Sequence, residues 1–128
     1  MTRHFLTGAE LSEAELDGLL DRALVLKGRP AASRALEGRT AALIFQKPST
    51  RTRASFEAGV FELGGHPMVL RSEELQITRG ESVGDVARVL SRHVAVIGLR
   101  TGSDATLAEL AEHSAVPVVN MLSPSHHP

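Results

Sequence analysis

The sequence predicts an α/β fold: a four-stranded parallel sheet with strand order 2-1-3-4, flanked by helices in a three-layer, Rossmann-like arrangement. Short apolar segments alternate with helical segments along the chain, the pattern of repeated strand–helix units. The first apolar segment, residues 40–45, does not alternate with polar residues, which indicates a strand buried on both faces. The chain has 128 residues, the size of one domain, and its predicted elements leave no internal linker.

The first predicted helix spans residues 11–27. Ser12 and Glu15 form a capping-box pattern at its start, and Gly28 and Pro30 end it. Its apolar residues recur at helical spacing on one face, which predicts an amphipathic helix. They are Leu16, Leu19, Leu20, Ala23 and Leu26.

The rest of the chain repeats strand and helix. Helices are predicted over residues 50–63, 82–93 and 104–113, and strands over 40–45, 66–70, 94–99 and 117–121. Two glycines, at 64 and 65, end the second helix. Pro67 has no N–H for a sheet ladder and predicts that the second strand begins there or lies at a sheet edge.

Composition excludes several classes of function. The net charge is −1, so there is no bulk electrostatic attraction to nucleic acid or to an anionic membrane. The chain has no Trp, no Tyr and 4 Phe, too few aromatic residues for base stacking. Without Cys it has no disulfides, thiolate zinc site or cysteine nucleophile. No apolar run approaches the ~18 residues of a membrane span, and no signal peptide is evident, so we expect a cytoplasmic protein.

Residues 46–53 form the sharpest chemical pattern, Gln-Lys-Pro-Ser-Thr-Arg-Thr-Arg, where the first strand turns into a helix. Either Ser49 or Thr50 can cap the helix, whose free N–H groups and dipole then favour an anion. The hydroxyls of Ser49, Thr50 and Thr52 add donors, and Arg51 offers a fork that fits phosphate. Capping alone requires one hydroxyl, so the pattern predicts an oxyanion site.

Other polar residues follow the later strands and are expected at the same edge of the sheet. Arg100 ends a buried strand and needs a partner, either a neighbouring carboxylate or a bound phosphate or carbonyl. His126 and His127 are adjacent, and adjacent histidines rarely reach one metal together, so we expect no metal site. The glycine motifs of dinucleotide and ATP sites and the serine-hydrolase motif are absent, and we expect no cofactor.

Residues 45–57, Phe-Gln-Lys-Pro-Ser-Thr-Arg-Thr-Arg-Ala-Ser-Phe-Glu, resemble the carbamoyl phosphate motif of the transcarbamylases. The resemblance continues through residues 63–66, 85–92 and 116–120 to the His-Pro pair at 127–128. It implies that residues 1–128 are a carbamoyl phosphate-binding domain. The loop at 75–82, Leu-Gln-Ile-Thr-Arg-Gly-Glu-Ser, resembles ornithine carbamoyltransferases. Members that use putrescine, an acylated ornithine or aspartate remain alternatives, as does a non-catalytic phosphate-binding module.

The resemblance also implies roles for individual residues. Ser49, Thr50, Arg51 and Thr52 would hold the phosphate of carbamoyl phosphate, and Gln76 would reach it from a neighbouring subunit of a homotrimer. Arg100 would bridge the phosphate and the carbonyl oxygen, to which His127 would also donate. The implied catalytic residues are thus Arg51, Arg100 and His127.

The sequence departs from the family pattern at several points. The residues that follow His-Pro in the family are absent, and so is the second domain, which would hold ornithine. We therefore expect roughly the first two fifths of an enzyme, inactive by itself. Gly102 stands where an aromatic residue is common, and Thr78 where glycine is common.

Overall fold

The computed structural model describes residues 2–75 and 82–128. Each predicted helix and strand is present, with ends shifted by up to three residues. The elements are α1 Glu13–Gly28, β1 Thr40–Phe45, α2 Thr50–Glu62, β2 His66–Arg71, α3 Val83–Leu90, β3 Val96–Arg100, α4 Asp104–His113 and β4 Val118–Leu122. Single 3-10 turns lie at Pro30–Ala32 and Ser72–Glu74.

The four strands form one parallel sheet in the order β2-β1-β3-β4, which confirms the predicted order. β1 lies at the centre, and its last residue, Phe45, is in register with Arg71 of β2 and Arg100 of β3. β2, which contains Pro67, is an edge strand, as the missing N–H of proline predicts. The carboxyl ends of the strands therefore meet along one edge of the sheet.

Alternate residues of the central strand pack on opposite faces of the sheet, as the period of two dictates. Ala42 and Ile44 belong to the larger core, with residues from α3 and α4. Leu43 and Phe45 belong to a smaller core on the other face, against which Phe56 of α2 packs. Because both faces are covered, the strand is apolar throughout, and the three-layer prediction holds.

Helix ends follow local chemistry. Ser12 and Glu15 form the predicted capping box at the start of α1. After α2, Gly64 adopts φ +85°, a left-handed conformation that glycine reaches without strain. α3 ends at Leu90, before the predicted residue 93, and the Oγ of Ser91 donates to the carbonyl of Ala87 at 2.6 Å.

The outer edge of β4 is paired with the beginning of the chain. Phe5 forms a parallel bridge with Val119, because its N–H donates to the carbonyl of Val118 and its carbonyl accepts from the N–H of Asn120. The Nδ1 of His4 accepts the N–H of Val118 at 3.0 Å. Residues 4–6 thus extend the sheet beyond its fourth strand.

Helix α1 does not join the core. None of its residues is buried, and it packs mainly on the 3-10 turn Pro30–Ala32. Its predicted apolar face is not covered. Five large apolar residues of the helix, three of them on that face, are 42–68% exposed. They are Leu16, Leu19, Leu20, Leu24 and Val25. Residues spread around the helix in this way cannot all face one surface of the domain.

Within the part of the chain that the structure describes, no helix is both long and apolar enough to span a membrane.

Candidate functional site

The candidate site lies where β1 ends between β2 and β3. The chain leaves β1 for one neighbour, β2, and later returns to the other neighbour, β3. In parallel sheets this arrangement opens a crevice beyond the carboxyl ends of the two strands. α2 begins in this crevice five residues after Phe45.

Ser49 is the residue that caps α2. Its Oγ accepts the N–H of Thr52 at 3.3 Å, and its carbonyl accepts the N–H of Arg53 at 3.2 Å. The N–H groups of Thr50 and Arg51 remain at the open end of the helix, together with the positive end of its dipole. The cap is confirmed, and the anion expected at this helix end stays a prediction.

Arg100 lies beside this open helix end. Its Nη1 donates to the Oγ1 of Thr52 at 3.2 Å and to the carbonyl of Met121 at 3.4 Å. No carboxylate among residues 2–75 and 82–128 forms an ion pair with it. Its Nε is buried and has no acceptor in that same part of the chain. A half-buried guanidinium with no carboxylate partner in the described chain and a buried, unsatisfied Nε favours binding of an anion from solution.

The two arginines at the start of α2 differ in their surroundings. Arg53 is paired with Glu57 one turn along, with 3.7 Å between its Nη2 and Oε1. Arg51 is exposed and makes no ion pair with a described residue. The charge of Arg51 is therefore uncommitted, whereas that of Arg53 is partly balanced.

A hydrogen bond between two side chains joins the ends of β1 and β3. The buried Thr101 donates its hydroxyl to the Oε1 of Gln46 at 2.5 Å and accepts the N–H of Ser103 at 3.1 Å. The backbone N–H of Gln46 also donates to the carbonyl of Arg100 at 2.9 Å. These bonds fix the floor of the crevice. No sequence motif predicts the hydrogen bond between Gln46 and Thr101, since nothing in the sequence pairs positions 46 and 101.

His127 lies on the irregular segment that follows β4, the neighbour of β3. Its side chain is exposed and makes no hydrogen bond with a described residue. The segment itself is held by Asn120, whose amide contacts the carbonyl of His126. No motif identifies Asn120; a polar residue inside an apolar strand is the only signal for it in the sequence.

Gly102 leaves space that Lys47 fills. A Cβ at position 102 would lie 2.8 Å from the Cε of Lys47. A larger side chain at this position would therefore displace the lysine stem. The ammonium of Lys47 makes no ion pair with a described residue, so it adds a third free cation to the crevice.

A cavity of about 620 Å³ lies beside the open helix end rather than over Arg100. It opens on the β2 side of Ser49 and Thr50 and is also lined by Arg53, Glu57 and Arg71. A nearby carboxyl, Glu74, accepts the backbone N–H and the Nε of Arg71, and these bonds hold its pKa below its ordinary value. Glu57 and Glu74 pair with Arg53 and Arg71 on this side, whereas Arg100, on the β3 side, has no carboxylate partner among the described residues.

Gln76 lies outside the described residues, so its predicted contact with phosphate stays a prediction. Among residues 2–75 and 82–128, no group of three or more His, Cys, Asp or Glu side chains is arranged to hold a metal ion.

Comparison with known proteins gives consistent matches along the whole chain. The model of the family described as aspartate/ornithine carbamoyltransferase, carbamoyl-P binding domain, matches residues 3–128. An ornithine carbamoyltransferase of Acidothermus cellulolyticus is 50% identical over 129 residues, which are 100% of this chain and 41% of that protein. One from Cereibacter sphaeroides is 48% identical, covering 98% of this chain and 43% of its own length.

Solved structures agree with this fold. The anabolic ornithine carbamoyltransferase of Campylobacter jejuni has a TM-score of 0.92 and 43% identity over 100% of this chain and 41% of its own. An N-acetyl-L-ornithine transcarbamylase has a TM-score of 0.86 and 38% identity over 97% of this chain and 43% of its own. The chain spans about two fifths of the length of these relatives. Because the family model matches residues 3–128, the chain belongs to the aspartate/ornithine carbamoyltransferase family, as its carbamoyl phosphate-binding domain.

Proposed function

We propose that this chain binds carbamoyl phosphate at the open end of α2 and serves as the carbamoyl phosphate-binding domain of an ornithine carbamoyltransferase. One observation carries the proposal. The guanidinium of Arg100 has a buried Nε without an acceptor in the described chain and donates to Thr52 in the first turn of α2. A phosphate bound there would receive the free N–H groups, the hydroxyls and two guanidinium groups.

The phosphate end of the ligand is assigned to Ser49, Thr50, Arg51 and Thr52. The Oγ1 of Thr52 accepts from Arg100, so its own hydroxyl hydrogen is free to donate to a phosphate oxygen. Arg51 supplies a planar fork that fits two phosphate oxygens, which an ammonium group cannot do. These groups together match the charge and shape of a phosphate dianion.

The carbamoyl end is assigned to Arg100 and His127. In the proposed reaction the neutral δ-amine of ornithine forms a bond to the carbamoyl carbon. The bond from that carbon to the phosphate oxygen breaks, the amine loses a proton, and the products are citrulline and phosphate. Negative charge grows on the carbonyl oxygen, and a donor aimed at such an oxygen contributes about 2.7–4 kcal/mol. Arg51 stabilises the charge that phosphate gains on leaving.

The acceptor and the assembly belong to the proposal as well. The two curated relatives named above, at 48% and 50% identity, are ornithine carbamoyltransferases, which favours ornithine over putrescine or aspartate. An acylated ornithine is the second candidate, because N-acetyl-L-ornithine transcarbamylases are also structural neighbours. We propose that a second domain holds the acceptor and that Gln76 acts from a neighbouring subunit of a cytoplasmic homotrimer.

Isothermal titration calorimetry of this chain with phosphonoacetamide tests the proposal. The probe is a stable phosphonate that carries the amide carbonyl of carbamoyl phosphate. We expect saturable binding, weakened about tenfold or more by Arg100→Gln, the scale of a charged hydrogen bond. Arg92→Gln is the matched control, since Arg92 lies in the turn after α3, is exposed and makes no ion pair with a described residue. Equal affinities for the two variants would refute the proposed site.

A further inference from the structure

The segment that carries His127 has no regular secondary structure, yet a buried side chain holds it in place. Asn120 is 3% exposed. Its Nδ2 lies 2.8 Å from the carbonyl oxygen of Leu6, 3.1 Å from the Oγ of Ser123 and 3.1 Å from the carbonyl oxygen of His126. Two of these acceptors are carbonyl groups, so only an amide nitrogen can face them.

The backbone beside Asn120 is distorted. The pairing of β3 with β4 contains a bulge, because Leu99 is opposite Asn120 while Arg100 is opposite Leu122. The extra residue, Met121, presents its carbonyl to Arg100. Leu122 adopts φ +137°, a conformation that side-chain-bearing residues rarely adopt, and its N–H donates to the Oδ1 of Asn120 at 2.8 Å. The amide of Asn120 therefore stabilises a strained turn out of the strand.

A second anchor comes from α4. The carboxylate of Asp104 accepts the hydroxyl of Ser125 at 2.6 Å and its N–H at 3.3 Å. The hydrogen bond from the Ser125 hydroxyl keeps the pKa of Asp104 below its ordinary value, so the anchor stays ionised at neutral pH. Ser123 closes the loop, since its N–H donates to the carbonyl of His126 at 2.9 Å.

We infer that Asn120 is a positioning residue that sets the place of His127 through its hydrogen bonds to Ser123 and to the carbonyl of His126. The inference rests on the proposed function, in which His127 donates to the carbonyl oxygen of carbamoyl phosphate. Asn120 touches no ligand itself. It acts at the carbamoyl end of the site only, while the phosphate end is held by the first turn of α2.

This division of the site gives the inference a measurable signature. Inorganic phosphate occupies only the end held by α2, whereas phosphonoacetamide also needs the donors to its carbonyl. The dissociation constant of inorganic phosphate divided by that of phosphonoacetamide is a selectivity ratio, and it reports on the carbamoyl end of the site. Loss of positioning lowers this ratio without changing phosphate affinity, which a general loss of stability would not do.

Two substitutions test it in this chain. Asn120→Asp keeps the oxygen that accepts from Leu122 and removes the N–H donors, and Ser123→Ala removes one acceptor with less risk to folding. Ser114→Ala is the matched control, because Ser114 is a buried serine that donates to a loop carbonyl, that of Val116, at 2.7 Å before β4. We expect Ser123→Ala to lower the selectivity ratio about three- to tenfold, the scale of one hydrogen bond, with phosphate binding and Ser114→Ala unaffected.

A double-mutant cycle with His127→Ala separates positioning from packing. If Asn120 acts through His127, Ser123→Ala has no further effect on selectivity once the imidazole is removed. Additive losses, or a normal ratio in both Asn120→Asp and Ser123→Ala, would overturn the inference. Hydrogen exchange without ligand gives an independent measurement, since Asn120→Asp must reduce protection of the Ser123 N–H. If that protection falls but the wild-type chain binds neither probe, the proposed function fails and the loop anchor stands. Unchanged protection overturns the anchor.

Discussion

At the scale of single residues, Arg51 and Arg53 are two positions apart in α2 and have different surroundings. Arg53 forms an ion pair with Glu57, whereas Arg51, at the helix end, forms none with a described residue. We expect Arg51→Ala to weaken phosphonoacetamide binding by about 1.5–3 kcal/mol, the scale of a charged hydrogen bond, and Arg53→Ala to have little effect. Arg51→Lys should recover only part of the loss, because an ammonium keeps the charge without the fork. Calorimetric titration measures all three variants. Equal losses for the two alanine variants would show that the anion does not bind on the Arg51 face of α2.

Thr101 gives a second residue-scale prediction. Thr101→Val keeps the shape of the side chain but leaves the Oε1 of Gln46 and the N–H of Ser103 without the partner they have now. We expect the free energy of unfolding to fall by about 1–3 kcal/mol, the cost of unsatisfied buried groups. Thr101→Ser keeps the hydroxyl and should lose less. Chemical denaturation curves measure this, and a valine variant as stable as the serine variant would argue that the hydroxyl contributes nothing.

The sequence identifies some of these residues and not others, for a physical reason. Ser49 to Arg53 form a local pattern whose chemistry is visible without the fold, and the cap and the Arg53–Glu57 pair follow from helix geometry. The bond between Gln46 and Thr101 joins positions 55 apart in the chain. It depends on strand register, as do the contacts of Asn120 with Leu6, and no local pattern encodes register.

At the scale of elements, the first turn of α1 makes a pH-dependent contribution to stability. The Nη1 of Arg3 lies 2.7 Å from the Oε2 of Glu15, and that bond, with the N–H of Ser12, lowers the pKa of Glu15 from its ordinary 4.5 to about 2. A carboxyl whose pKa falls on folding stabilises the fold above its unfolded pKa and loses that effect as pH falls. We therefore expect Glu15→Gln to lower the Tm at pH 7, with the difference shrinking below about pH 4.5 and vanishing near pH 2. Thermal melts across this range decide it, and a difference independent of pH would exclude the ionised contact.

The exposed apolar residues of α1 lead to another element-scale prediction. Five large apolar side chains of this helix are in contact with solvent, and such patches promote association. We expect the chain to self-associate as concentration rises, and Leu20→Glu with Leu24→Glu to reduce this association. Sedimentation velocity over a range of concentrations measures it. Val89→Glu is the control, since Val89 is equally exposed but lies on α3; the same effect from the control would remove α1 as the cause.

Elements were predictable to different degrees. The continuous apolar run of β1 and the caps of α1 and α2 are local signals, and the structure confirms them. The apolar residues of α1 predict a helix with a buried face, and the helix exists without that face being buried. Periodicity tells which residues can share a surface, but not which other element will cover that surface.

At the scale of the whole molecule, the strand order confirmed here brings α2 and Arg100 to one crevice, yet the groups that would hold an acceptor amine are not assigned to this chain. We expect the 128-residue chain by itself to make no citrulline from carbamoyl phosphate and ornithine. Holding two reactants in attack geometry contributes ~7–11 kcal/mol, and binding one of them does not supply it. A colorimetric citrulline assay on chain that binds phosphonoacetamide tests this. Turnover above the buffer background would contradict it.

The pairing of residues 4–6 with β4 has a consequence for how the domain is made. His4 and Leu6 contact Val118 and Asn120, partners 114 positions later in the chain. During synthesis residues 4–6 leave the ribosome long before β4 is made, so they cannot form these contacts while the other three strands are being synthesised. Contacts this distant in sequence form late, because the chain between them must first be ordered. The first-made residues of this domain should therefore be among the last to reach their final place.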